Sequence, residues 1–218
     1  MNVLLFTGLP NFAFTDSILF IKQSFSDIKK MGAVLPSSKS SARELIKPLQ
    51  FKAGTRRVLE VGAGTGVITD EILDCLTDED FLDVLEIDDE MCQLLRKKYA
   101  ARKNVAVHQV SILDWSPAYS YDIIISTLPL TNFSLQEVQD ILHRYEYLAA
   151  PGAVLSYLEY MSVGWKKLFL SSEKAADLDE KLSYIDTFRK KNRTSTVSVY
   201  VNVPPTFAHH IVLQHRIA

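Results

Sequence analysis

Apolar positions along this chain follow two alternating textures: short continuous runs, and longer stretches in which they recur every third or fourth residue. Arg57-Val58-Leu59-Glu60-Val61, Phe81 to Ile87, Val105 to His108, Tyr121 to Ser126 and Ala153 to Tyr160 are runs of the first kind and predict strands. Helical patterns fall between them, over Val67 to about Leu76, Asp89 to Ala101 with Leu94, Leu95 and Tyr99 inward, and Ser134 to Leu148. Pro151-Gly152 predicts a turn ahead of the fifth strand, and a long charged helix is expected from about Trp165 to Lys190. The tail changes character. Thr194 to Val203 and Phe207 to His215 read as two strands joined through Pro204-Pro205, with no helix between them.

Strands alternating with amphipathic helices predict a parallel sheet covered on both faces, and a terminal hairpin adds an antiparallel strand. The expected class is α/β: an open, mostly parallel seven-stranded sheet with an antiparallel C-terminal hairpin, Rossmann-like, plus N-terminal helices. Ile18 to Ile21, Phe25 and Ile28 recur at helical spacing behind Thr15, Asp16 or Ser17 as N-cap, with Lys29-Lys30 near the end and Gly32 and Pro36 as breakers. A second helix is expected from near Ser38 through Arg43-Glu44-Leu45-Ile46 to Pro48. Residues 1–50 thus form a helical extension or lid, and residues 51–218 the main domain.

Composition narrows the picture. A chain of 218 residues, 47% hydrophobic and 23% charged, can bury one large core. Its net charge of −2 argues against a general polyanion-binding surface, which makes nucleic acid the less favoured partner. Cys75 and Cys92 lie in helical stretches without metal-ligand spacing, so no metal and a reducing, cytoplasmic setting are expected. The apolar start, Met1 to Phe20, has no Lys or Arg before Lys22 and so lacks the positive region of a secretory signal. No apolar run reaches the roughly 18 residues of a spanning helix.

The chemistry concentrates where strands end. Gly62, Gly64 and Gly66 follow a buried strand and open a helix, so a ligand can press against bare backbone there. In open α/β sheets this is the binding edge. A dinucleotide fingerprint needs a third glycine at position 67, where Val67 stands. The spacing Glu60-Val61-Gly62-Ala63-Gly64-Thr65-Gly66 fits a cofactor without a pyrophosphate. Leu85-Glu86-Ile87-Asp88 ends the second strand, and a Glu86 carboxylate there can accept from both ribose hydroxyls, while Asp88 is better read as a helix cap. Ser111-Ile112-Leu113-Asp114 follows the third strand, where Ser111 could bond an adenine edge and Ile87 and Ile112 sandwich the ring. Asp114 reads as a loop residue.

Lys30 to Ser38, the glycine loop, Ser126-Thr127-Leu128-Pro129-Leu130 and Asn202-Val203-Pro204-Pro205-Thr206 together resemble the bacterial phospholipid N-methyltransferases, over about Phe20 to Leu213. That resemblance implies a domain dependent on S-adenosylmethionine (SAM) over residues 51–218, methylating a phosphatidylethanolamine-like amine. A related family, the ribosomal RNA adenine dimethylases, carries Asn-Leu-Pro-aromatic after the fourth strand. The matching positions here are Thr127, Leu128, Pro129 and Leu130, without the amide and without the ring that would stack on a flipped base. Departures from the lipid family are Thr127 for a glycine, Leu158-Glu159-Tyr160 for a Phe-Thr-Tyr-like strand end, and Ser111 for an aspartate.

On the acceptor side, the carbonyls around Leu128 and Pro129 and the Thr127 hydroxyl would take the amine's hydrogens. Tyr160 would accept a proton or hold the cationic product by its ring face. Glu159 should point to the opposite face from Tyr160. The helix over residues 15–30 has two open readings: an interfacial helix at the inner face of the membrane, or a lid over the site. An RNA or small-molecule methyltransferase and a non-catalytic SAM-fold binding protein are the alternative functions. Arg189-Lys190-Lys191-Asn192-Arg193 fits a phosphate-rich partner or a solvated helix end.

Overall fold

The computed structural model describes residues 36–52, 54–161, 170–200 and 205–214. The helix expected over residues 15–30 lies outside them, as do Trp165 and the Asn202-Val203-Pro204 segment. Helix α1 (Pro36–Leu45) and a 3-10 turn (Lys47–Gln50) lead into β1 (Arg57–Val61), α2 (Val67–Leu73), β2 (Phe81–Glu86), α3 (Asp89–Lys98) and β3 (Val105–Gln109). Then come β4 (Tyr121–Ser126), a 3-10 turn (Leu130–Asn132), α4 (Leu135–Leu148), β5 (Ala149–Tyr160), α5 (Ser172–Lys191), β6 (Arg193–Val199) and β7 (Thr206–Val212). The seven strands form one sheet in the order β3-β2-β1-β4-β5-β7-β6. Every pairing is parallel except those of β7, which runs antiparallel to β5 and β6. This is the expected α/β class.

Side chains of adjacent strands in register share a face. Val58, Leu82 and Ile123 are such a row, and they pack with Leu45, Leu49, Ile72, Leu95 and Tyr99 into the core under the first helices. The opposite face is covered by α4, whose buried Val138, Ile141, Leu142, Tyr145 and Leu148 form one helical stripe. A reciprocal cap of Ser134 and Glu137 sets the start of that helix.

Three expectations need correction. In α3 the inward stripe is Cys92, Leu95 and Tyr99, while Leu94 is 46% exposed. Positions 92, 95 and 99 lie within one face at 3.6 residues per turn, and position 94 falls outside it. Strand β5 starts at Ala149, ahead of Pro151-Gly152, because those residues form an irregularity within it: the pairing jumps from Tyr121–Ala149 to Ile123–Val154. Helix α2 stops at Leu73, before the expected Leu76.

Two polar clusters brace the sheet away from its ligand edge. Arg56, buried at the start of β1, donates to both Asp80 oxygens, at 3.1 and 2.5 Å, and to the carbonyls of Leu49 and Cys75. It thereby ties α1's trailing turn, the end of α2 and the entry to β2 into one clasp. Between β3 and β4 there is no helix. There Asp83 accepts from the hydroxyls of Tyr119 and Tyr121 and bonds His108, while Trp115 Nε1 donates to the Tyr121 hydroxyl.

Candidate active site

The parallel strands deliver Gly62, Glu86, Ser111 and Thr127 to one edge of the sheet, at their carboxyl ends. The glycine loop is held from both sides. Gly62 N–H donates to the Leu85 carbonyl at 2.9 Å, continuing the β1–β2 ladder, and Thr127 N–H donates to the Val61 carbonyl at 3.0 Å. The Thr127 hydroxyl donates to the Gly62 carbonyl at 2.5 Å. Gly62 has φ of +81°, and a Cβ there would stand 3.1 Å from both Thr127 Oγ1 and Leu128 Cδ2. Bare backbone at this position is a packing requirement.

Gly66 makes the same point more sharply. Its φ is also +81°, and a Cβ would sit 2.6 Å from the Tyr99 hydroxyl and 2.8 Å from Leu95 Cδ2. The Tyr99 hydroxyl is shared between the Gly66 carbonyl and Asp70 Oδ1, at 3.0 and 2.9 Å. Gly66→Ala should therefore combine a left-handed backbone with overpacking, a loss of about 2–4 kcal/mol in urea unfolding. An unchanged midpoint would contradict this geometry. Ala63 is buried and its carbonyl accepts from Gly66 N–H at 3.0 Å, closing the turn.

Two carboxylates flank the loop. Glu86 Oε2 accepts from Gly64 N–H at 2.8 Å, and its Oε1 accepts from the N–H groups of Ile87 and Asp88 at 2.7 and 2.9 Å. A carboxylate offers about four acceptor sites. Three are thus used, one to brace the loop at Gly64 and two by the backbone just after Glu86, and a diol must share or displace them. Asp88 is the N-cap of α3, accepting from Met91 N–H. Glu60 is fully buried, with Oε2 accepting from the Thr69 hydroxyl at 2.7 Å and Oε1 without a partner. Burial pushes its carboxyl up to about 8, the Thr69 bond opposing that rise and the nearby Glu86 and Asp70 adding to it. A buried carboxyl oxygen lacking a partner, beside the glycine loop at the carboxyl end of the strands, fits a compact cationic ligand carrying an adenosine.

The adenine-side candidates divide. Ile87 is half-buried and presents surface, whereas Ile112 is 4% exposed and packed inside the protein. Ser111 Oγ accepts from Leu113 N–H at 3.2 Å, and the Ser111 carbonyl takes Asp114 and Trp115 N–H, which shapes the loop. Asp114 is exposed.

The turn after β4 is built from Thr127, Leu128 and Pro129. The Pro129 carbonyl accepts from Asn132 N–H at 2.8 Å within the 3-10 turn, so part of its capacity is committed locally. Leu130 is buried at 6% exposure. On β5, Glu159 turns to α5 and pairs with Arg189 at 2.7 Å, while Tyr160 stands 42% exposed at the strand end. An open cleft of about 520 Å³ runs along α5, lined by Glu159, Arg189, Thr196, Phe207 and His209 among others, and no glycine-loop residue lines it. The basic stretch at the end of α5 is largely paired: Arg189 with Glu159, Lys190 with Asp186, Lys191 with Glu146.

Sequence reasoning missed Thr69 and Tyr99. Thr69 was signalled weakly, by a hydroxyl one turn into the helix after the loop. Nothing in the sequence marked Tyr99 as the anchor of Gly66. Among the described residues no group of three or more His, Cys, Asp or Glu could hold a metal, and no helix is long and apolar enough to cross a membrane.

Comparison with known proteins adds to this geometry. Residues 58–152 match the family model described as a methyltransferase domain. An ornithine lipid N-methyltransferase of Singulisphaera acidiphila is 26% identical over 160 residues, covering 71% of this chain and 83% of that protein. A malonyl-[acyl-carrier protein] O-methyltransferase of Ilyobacter polytropus is 25% identical over 144 residues, covering 65% of this chain and 50% of that protein. In fold, the chain is similar to the N-methyltransferase NodS of Bradyrhizobium japonicum in complex with S-adenosyl-L-homocysteine (SAH), with a TM-score of 0.64 at 12% identity over 87% of this chain and 97% of that one. The plantazolicin methyltransferase BpumL with SAH gives a TM-score of 0.62 at 14% identity over 88% and 90%. Residues 58–152 therefore carry a methyltransferase domain, and the chain is a SAM-dependent methyltransferase.

Proposed function

We propose that this enzyme methylates the amine of a membrane lipid headgroup, of the phosphatidylethanolamine or ornithine-lipid kind. The observation that carries the reading is Leu130, buried at 6% exposure where a base-methylating enzyme would need a stacking ring. The likeness to an ornithine lipid N-methyltransferase points the same way.

In this reading Glu60, Gly62, Ala63, Gly64, Gly66, Glu86, Ile87, Ser111 and Ile112 form the donor side. The glycine loop and Glu60 hold the amino-acid end, Glu86 the ribose, and Ile87 with Ser111 the adenine, Ile112 backing that wall from within. Bound SAM supplies an electrophilic methyl on a cationic sulfur. The enzyme's part is alignment and exclusion of water, since in-line displacement needs the nucleophile held close and collinear. An amine attacks only when neutral. Thr127 gives its one hydroxyl hydrogen to Gly62, which leaves its oxygen as an acceptor only. That oxygen and the Leu128 carbonyl would hold the amine's hydrogens and aim its lone pair, with Pro129 shaping the turn. Tyr160 offers its exposed ring to the methylated cation. Lipid substrate implies contact with a membrane surface, at the cytoplasmic face.

Expression in a bacterial host without methylated phospholipids, followed by lipid mass spectrometry, tests this. The expected products are N-methylated phosphatidylethanolamine or ornithine lipid. Glu86→Ala should reduce their formation by about two orders of magnitude through lost donor binding. SAM turnover on soluble amines or RNA with unchanged lipids would overturn the lipid reading.

A further inference from the structure

Lys181 lies on the inner face of α5 with its side chain only 8% exposed, and it pairs with Asp177 one turn earlier at 2.7 Å. Its Nζ donates to the Phe133 carbonyl at 2.9 Å and reaches the Thr131 carbonyl at 3.4 Å. Lysine is seldom this buried without a partner that requires its charge. Both carbonyls belong to the stretch that carries the chain from Pro129 into the Ser134 cap of α4. Before the turn, the buried Tyr145 of α4 bonds Ser126 Oγ at 2.7 Å, and that oxygen also accepts from Leu128 N–H at 3.3 Å. Buried side chains thus hold the chain just before and just after the Thr127–Pro129 turn, Tyr145 of α4 at Ser126 and Lys181 of α5 at Thr131 and Phe133.

We propose that Lys181 is a positioning residue for the methyl acceptor, fixing the turn that receives the amine and, through its buried positive charge, favouring the amine's neutral form. This rests on Thr127–Pro129 being the acceptor turn. A fixed cation lowers the proton affinity of a neighbouring amine, and attack requires the unprotonated lone pair. Asp177, 54% exposed on its own helix, offsets part of the charge. Glu137 on α4 is occupied in the Ser134 cap, and farther along α4 His143 and Glu146 bond Tyr184 and Lys191.

The test uses the full chain with Lys181→Met, Lys181→Arg and Asp177→Asn, assayed on phosphatidylethanolamine and ornithine-lipid vesicles and titrated with SAH. Lys181→Met should lower kcat/KM for the lipid about tenfold or more and move the rising limb of the pH profile to higher pH. Lys181→Arg should restore most of both, and Asp177→Asn should move the limb to lower pH. SAH affinity should fall far less than kcat/KM, because Lys181 bonds the carbonyls of Thr131 and Phe133 and is linked to Gly62 through the intervening turn. A Lys181→Met enzyme with the parental limb and kcat/KM, or one that loses SAH affinity in the same proportion, would overturn the proposal. Should Lys181→Met not fold, Asp177→Asn decides alone: a limb shifted to lower pH supports the proposal and an unmoved limb refutes it. If the parent leaves both phosphatidylethanolamine and ornithine-lipid vesicles untouched, the lipid reading fails by itself, and amide hydrogen exchange across residues 128–133 takes over. Faster exchange in Lys181→Met than in Lys181→Arg supports the grip; equal exchange refutes it.

Discussion

Asp80→Ala is expected to lower the free energy of unfolding by about 3–5 kcal/mol, because it strands the Arg56 guanidinium in the interior. Asp80 is fully buried and accepts from the Arg56 side chain and backbone and from the Thr77 hydroxyl and backbone. The loss should be read in urea at neutral pH, beside Lys98→Ala. Lys98 forms an exposed pair with Asp70, and its removal should cost about 1 kcal/mol or less. Equal effects from the two variants would show that the clasp is only another surface pair. The clasp also sets an acid limit. Burial opposes ionisation of Asp80, but the bonds from Arg56 and Thr77 outweigh it and hold the carboxyl well below its usual range. A depressed carboxylate contributes stability above its ordinary value, near 4, and loses it as pH falls through the folded value. Parent and Asp80→Ala should therefore converge in strong acid.

Glu60→Gln is expected to act in the opposite pH direction. The Glu60 carboxyl is raised by burial from 4.5 to about 8, so the folded enzyme keeps a proton that the unfolded chain releases. Stability from this group is present below pH 4.5 and is lost progressively as pH rises to about 8, by up to roughly 4–5 kcal/mol. Gln cannot ionise, so the variant should match the parent in mild acid and exceed it above pH 8 in thermal unfolding. Donor binding carries a second consequence. A cation placed against the unpartnered Oε1 favours the ionised form, so binding at neutral pH should release close to one proton. Calorimetry of SAM binding in buffers of different ionisation enthalpy measures that number directly. The parent should show buffer-dependent heats and Glu60→Gln none. Buffer-independent heats in the parent would separate Glu60 from the donor's charge.

How far the sequence could be read depends on the range of the forces involved. The alternation of strands and helices, the hairpin at the end and the Ser134 and Asp88 caps are written in local periodicity and in side chains that bond their own backbone a few residues on. Boundaries were less legible. Leu94 belongs to an apolar segment, yet the burial stripe of α3 passes it by, because only the neighbouring sheet decides which side of a helix is inside. Pro151-Gly152 announced a turn, and pairing with β4 absorbed it into a strand as an irregularity.

By itself the sequence determined the α/β class, the ligand edge with its glycine loop, and the placing of Glu60, Glu86 and Thr127 at strand ends, since each follows from residue type at short spacing. Only the tertiary structure decided which contacts those groups make. Glu86 braces Gly64, Thr127 spends its hydrogen on Gly62, and Glu60 keeps one oxygen without a partner. It also brought in Tyr99, Arg56, Asp80 and Lys181, whose partners lie far along the chain. Burial and hydrogen bonding between distant segments have no local signature, because they arise only when the sheet brings those segments together.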